Sequence, residues 1–242
     1  MEKLYFRSFS LLFLAFYIFS GCESKSKSNT STSFGDSTTK VVEVKSLTGR
    51  IWMDRNLGAT QAATSSTDSE SYGDLYQLGR GSDGHQLRNS STTTTLSSTY
   101  VPGHEDFILN TNFPDDWRSP KNDPPAGLVD SSYYMSNFVY NPCPNGYRLP
   151  TSVEWEAEVS SWISKDPSGA FASPLKLPMA GFRNKDDGVL ESVGTGGFYW
   201  SSTVSSMVSG GWGNGLLFWY DSAHHNSGFK RANGLSLRCI KD

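Results

Sequence analysis

The feature that most constrains this chain is its N-terminus, because it sets the compartment in which everything else must fold. Lys3 and Arg7 precede an unbroken apolar run from Leu11 to Phe19, and Ser20, Gly21 and Cys22 follow. A basic start, a short apolar stretch and small residues form the pattern of an export signal. The run is too short for a membrane-spanning helix, which needs about 20 apolar residues. Residues 1–21 are therefore expected to act as a signal peptide, and no second long apolar stretch follows them.

Export then decides the reading of the three cysteines. Phe19-Ser20-Gly21-Cys22 resembles a bacterial lipobox, with Phe where Leu is usual. The resemblance implies cleavage before Cys22 and acylation of that cysteine; an ordinary signal peptide with an incidental cysteine is the alternative. Each buried acyl methylene contributes about 0.8 kcal/mol, so several chains on one residue anchor a protein to a membrane without spanning it. Cys143 and Cys239 remain, in an oxidising compartment, at a spacing unlike any CxxC metal or redox motif. They are expected to pair, with two free thiols as the alternative. In the chain-entropy model a bridge closing a loop of about one hundred residues contributes about 4.7 kcal/mol.

Residues 23–40 are nearly all Ser, Lys, Thr, Asn and Asp. They cannot bury a core and are expected to form, with Cys22, a disordered tether reaching roughly 23 Å on average. Loss of Glu2, Lys3 and Arg7 makes the formal charge of −3 one unit more negative. No broad basic surface is available, which argues against a nucleic-acid partner.

Residues 41–242 fit one domain. Short apolar runs between turn residues predict strands at 41–44, 51–53, 175–182, 198–202, 216–220 and 235–240. Gly49, Asp187-Gly188, Gly196-Gly197, Gly210-Gly211 and Asn233-Gly234 read as turns, and residues 86–102 as a long polar insertion. One helix, over about 151–164, is predicted from Thr151 and Glu154, which form a capping box. Trp155, Val159, Trp162 and Ile163 fall on one face of it, and Pro167 and Gly169 are expected to end it. The fold class is α+β, with mostly short antiparallel strands, one clear helix and long loops.

Six motifs occur in order: 52–59 (WMDRNLGA), 72–80 (YGDLYQLGR), 143–155 (CPNGYRLPTSVEW), 180–184 (AGFRN), 199–202 (YWSS) and 237–239 (LRC). Together they resemble the Fibrobacter succinogenes major paralogous domain of secreted proteins and lipoproteins, from about Thr48 to the C-terminus. The resemblance implies a C-type lectin-like fold in which the Cys143–Cys239 bridge ties the helix to the last strand. The Arg148-Leu149-Pro150-Thr151 stretch with Glu154-Trp155 also looks like the formylglycine-generating enzymes of that fold.

Chemical constellations are sparse. Formylglycine-type oxidation needs reactive copper-binding cysteines, and the two here are committed to a bridge, so no enzyme activity and no cofactor are expected. Lectins of this fold hold calcium with a Trp-Asn-Asp strand; Trp200-Ser201-Ser202 substitutes hydroxyls, poor ligands for a hard cation. Asn184-Lys185-Asp186-Asp187-Gly188 with Glu191 lacks EF-hand spacing and reads as a hydrated turn. Asp115-Asp116 beside Pro114 read as turn residues, and turn hydrogen bonding accounts for His85. His224 and His225, adjacent, cannot share a metal from one strand; a solvated loop is expected there, and no metal site is assigned. The candidate ligand-binding residues are Trp212, Trp219, Tyr220, Asp221, His224 and Asn226, where rings can stack on a ligand's apolar faces while polar groups orient it. The expectation is a lipoprotein anchored to the outer membrane of a bacterial envelope, its face undetermined, presenting a domain for adhesion or recognition of a glycan or protein. A structural envelope component without a small ligand is the alternative.

Overall fold

The computed structural model describes Met1 and residues 38–113, 115–119, 140–204 and 212–242. The residues read as signal peptide, Cys22, most of those read as tether, Pro114 and the Gly210-Gly211 pair read as a turn lie outside these residues. Contacts divide the chain into Met1–Thr32 and Ser33–Asp242, and the fold described belongs to the second unit. No helix among the described residues is long and apolar enough to cross a membrane.

Turn residues every few positions keep the strands short. They are β1 (Glu43–Lys45), β2 (Ile51–Met53), β3 (Tyr76–Gln77), β4 (Thr92–Thr93), β5 (Phe107–Ile108), β6 (Tyr147–Arg148), β7 (Phe182–Arg183) and β8 (Leu190–Glu191), then β9 (Gly196–Val204), β10 (Trp212–Trp219), β11 (Ser222–Lys230), β12 (Gly234–Leu235) and β13 (Ile240–Lys241). Pairing is antiparallel within the sheets β1-β2-β13-β6, β11-β10-β9 and β3-β12-β7-β8. Only β4 and β5 pair in parallel among the named strands. The architecture is α+β with long loops.

Helix α1 (Ser152–Ser161) starts where the capping box places it: Thr151 Oγ1 accepts from the Glu154 amide at 3.2 Å, and Glu154 Oε2 accepts from the Thr151 amide at 2.8 Å. Burial works against the Glu154 carboxylate, but two bonds from Arg148 at 2.8 Å and those from Thr151 outweigh it and bring its pKa down to about 2. The helix ends sooner than its apolar spacing predicts. Trp162 is its extended C-cap, which turns Ile163 outward to full exposure instead of into the core. Pro167 starts a second helix, α2 (Pro167–Ala172), rather than merely stopping the first: it sits in the first turn, where a missing N–H costs nothing, behind Asp166 as N-cap.

The three long strands form the centre. On one face Tyr199, Leu216 and Phe218 pack against Trp155, Val159 and Trp162 of α1 and against Trp52, Leu175 and Leu177. On the other, Phe198 and Trp200 join Met53, Leu57, Tyr76, Leu235 and the Cys143–Cys239 pair. The bridge is formed, with Cα atoms 5.9 Å apart. Gly196-Gly197 open β9 instead of turning the chain; a Cβ on Gly197 would lie 2.0 Å from Phe218 Cζ, so the ring fills the space a side chain would take.

Residues 175–182 are buried at Leu175, Leu177 and Ala180 yet pair as a strand only from Phe182. Pro178 has no amide for a ladder, and a guanidinium satisfies the Leu175 carbonyl instead: Arg238 Nη1 donates to it at 2.6 Å. Arg238 is fully buried and also grips Asn56 Oδ1 with Nε and Nη2 at 3.1 and 2.9 Å. Burial lowers its pKa to about 10, which leaves it charged at neutral pH. Arg80 and Arg183 do the same for other loops, donating to the carbonyls of His104 and Asp106 and of Leu87, Ser90 and Gly188. Loop carbonyls buried away from water need donors, and these arginines supply several each.

Candidate functional site

Two buried clusters show how the loops are fixed. His85 lies in a turn, its amide donating to Asp83 Oδ1 at 3.1 Å, and it is also fully buried: Nδ1 meets Asp83 Oδ1 at 2.6 Å and Nε2 accepts from the Gln77 amide at 3.1 Å. Burial is the main cause that lowers its pKa to about 4, which agrees with an unprotonated Nε2. Asp115 closes a turn, its amide donating to the Asn112 carbonyl at 2.8 Å, and it and Asp116 are both buried. Asp115, at φ 64°, pairs with Lys185 at 2.8 Å and with Lys230, and Asp116 pairs with Arg118 and Arg231, each at 3.2 Å. Burial works against the Asp115 charge, but the two lysines hold its pKa below the usual range. These groups are closed off and spent on structure.

Open chemistry gathers on the β10–β11 hairpin. Trp219 and Ser222 close it, leaving Tyr220 and Asp221 as the turn. Tyr220 adopts φ 50°, the left-handed region that bulky side chains rarely occupy. Tyr220 is 75% exposed and Trp219 is 39% exposed, while most of the described aromatic residues are buried. The two rings stack with centroids 4.4 Å apart and planes at 26°. Gly196 lies opposite Trp219, and a Cβ there would approach Trp219 Cδ1 to 3.3 Å, so the glycine leaves the indole room. Leu216 and Phe218, fully buried, anchor the strand that carries the tip.

The histidine pair lies in β11 and not in a solvated loop. Between β11 and α1 runs a cleft of about 450 Å³ lined by Glu156, Val159, Ser160, Lys165, Ala223, His224, His225 and Asn226. His225 Nε2 stands 4.0 Å from Glu156 Oε1, and its buried Nδ1 has no hydrogen-bond partner among the described residues. His224 and Asn226 are exposed at the rim.

The six sequence candidates therefore separate. Trp219, Tyr220 and Asp221 share the tip, and His224 and Asn226 share the cleft. Trp212 opens β10, seven positions from Trp219, roughly 24 Å away along a strand. Its ring takes Lys230 Nζ over its face at 4.5 Å and lies against Gly228, which makes it packing for the Asp115 cluster. Glu156, Ser160 and Lys165 of the cleft escaped the sequence reading. Glu156 and Ser160 lie four residues apart and thus on one helix face, but nothing in the pattern reveals that β11 runs beside them.

Ser201 and Ser202 are not open ligands. Ser201 Oγ donates to the Asn214 carbonyl at 2.9 Å and Ser202 Oγ to that of Pro150 at 3.3 Å. Asn184–Gly188 is the turn joining β7 and β8, with Asn184 Nδ2 donating to Glu191 Oε1 at 2.5 Å. No three His, Cys, Asp or Glu side chains converge as a metal site among the described residues. No family model, no curated protein and no solved structure matches this chain.

Proposed function

We propose that this protein is a binding module of C-type lectin-like fold, held at a bacterial envelope by an acylated Cys22, which recognises a glycan or protein through its β10–β11 tip. The observation that carries the reading is the stacked Trp219–Tyr220 pair, exposed where β10, anchored in the core by Leu216 and Phe218, runs into its turn. An exposed aromatic face leaves apolar area in water, and stacking on a ligand removes that cost while Asp221 orients polar groups. The titratable groups of Asp83, His85, Asp115 and Asp116 are consumed by internal partners, which supports binding over catalysis. Outer-membrane anchoring rests on the lipobox resemblance, and the fold name on the six motifs.

The test is a glycan and matrix-protein array with the full chain, run with calcium and again with chelator. Saturable binding to one ligand class, lost in Trp219→Ala and Tyr220→Ala with thermal stability retained, is the expected result. Absence of saturable binding in both conditions, or binding indifferent to both substitutions, overturns the reading. Loss of membrane fractionation in Cys22→Ser tests the anchor separately.

A further inference from the structure

We infer that the cleft between α1 and β11 is a second subsite, built for one neutral sugar residue; this rests on the reading of the hairpin as a glycan-binding element. The cleft's volume of about 450 Å³ lies within the range of small-ligand sites, roughly 300–1,000 Å³. Its lining alternates in chemistry. Val159 and Ala223 form an apolar floor continuous with the core, while Ser160, Asn226, Lys165 and Glu156 offer donors and acceptors above it. A pyranose has the complementary surface: C–H groups on one face and hydroxyls around the rim.

The charges narrow the class. One carboxylate and one ammonium line the same cleft. A uronate carboxyl would meet Glu156, and the ammonium of an amino sugar would meet Lys165, so neither charged sugar is favoured over a neutral one. The 4.0 Å between Glu156 Oε1 and His225 Nε2 is too long for a direct hydrogen bond. One sugar hydroxyl placed between them can donate to the carboxylate and accept from Nε2–H. His225 Nδ1 is shut away from solvent, so Nε2 is the nitrogen that can meet a ligand.

The cleft also sets a ligand length. The cleft begins at Ala223, next to the Ser222 that closes the hairpin, and reaches Asn226, four positions beyond Ser222, about 13 Å along a strand. A ligand that spans from the tip to the far end of the cleft is therefore an oligosaccharide.

The experiment is residue-resolved NMR of the full chain in detergent. The probes are the methyl glycosides of glucose, galactose and mannose, then glucuronic acid, glucosamine and neutral tetrasaccharides. The amides of His225 and Asn226 report the cleft, and the Trp219 indole reports the tip. Neutral glycosides are expected to shift the cleft amides saturably. Glu156→Ala and Asn226→Ala, both at exposed positions, are expected to weaken that response about tenfold while the Trp219 response to tetrasaccharides persists. If Trp219 responds and the cleft amides stay silent to every neutral probe, the subsite is refuted and the tip reading stands. Cleft shifts with glucuronate or glucosamine alone also refute it, because charge then governs selection. Silence at both reporters for all probes refutes both readings.

Discussion

Consider lowering the pH on the buried Asp83–His85 pair. His85 Nδ1–H donates to Asp83 Oδ1, and Nε2 must stay unprotonated to accept the Gln77 amide. The folded protein holds this ring neutral down to about pH 4, whereas an unfolded histidine takes a proton near pH 6.5. The folded pKa is the lower of the two, so the unfolded state binds more protons in between. The stability this group contributes is present above about pH 6.5, is lost as pH falls to about 4, and changes no further below that. The gap of about 2.5 units, at about 1.4 kcal/mol per unit, gives about 3 kcal/mol. The assay is urea unfolding between about pH 7.5 and 4, for the native sequence and for His85→Gln. A glutamine amide oxygen can still accept from Gln77 and does not titrate, and Asp83 keeps Arg80 at 2.7 Å, so the variant retains its fold. The native protein is expected to lose about 3 kcal/mol more than the variant over that window. Parallel profiles, or a His85 ring resonance that titrates near pH 6.5, would refute the argument.

Three further outcomes test the architecture. Cys143→Ser with Cys239→Ser is expected to cost about 4.7 kcal/mol, the chain-entropy value for a loop this long, and reduction of the native protein in mild urea should reproduce the loss. Gly197→Ala drives a methyl into the Phe218 ring and should lower stability by about 1–3 kcal/mol; an unchanged melting temperature would mean the ring swings aside freely. Thr151→Ala removes the α1 cap and should cost about 1 kcal/mol by denaturant titration, with Thr151→Ser restoring most of it.

Local chemistry was legible wherever a few adjacent residues decide the outcome. Thr151 and Glu154 announce a helix start because both halves of the capping box lie within four residues. Ile51–Met53 and the core of β9 read as strands from short apolar runs, and the 187–188 turn from its glycine. The disulfide followed from counting cysteines in a chain read as exported, and the α+β class from many short strands around one helix. Misreadings arose where a distant partner decides. Residues 175–182 look like a strand, but Arg238, far along the chain, takes the carbonyl a neighbouring strand would have used. Gly196-Gly197 look like a turn until the Phe218 ring is placed against them. His224-His225 look like loop because the strand they form is polar on its open edge and is held by β10 on the other.

The site divides in the same way. By its own content the chain marked the aromatic, glycine-rich segment and six polar and aromatic residues within it. Tertiary structure alone decided that Trp219 and Tyr220 stand together in the open, that Trp212 is seated under Lys230 at the far end of the hairpin, and that Glu156 and Ser160 of α1, with Lys165 just beyond it, meet β11 in a cleft. The physical reason is range. Capping, turn formation and cysteine oxidation depend on neighbours or on the compartment, whereas exposure of a ring and convergence of polar groups depend on which remote surface packs against them.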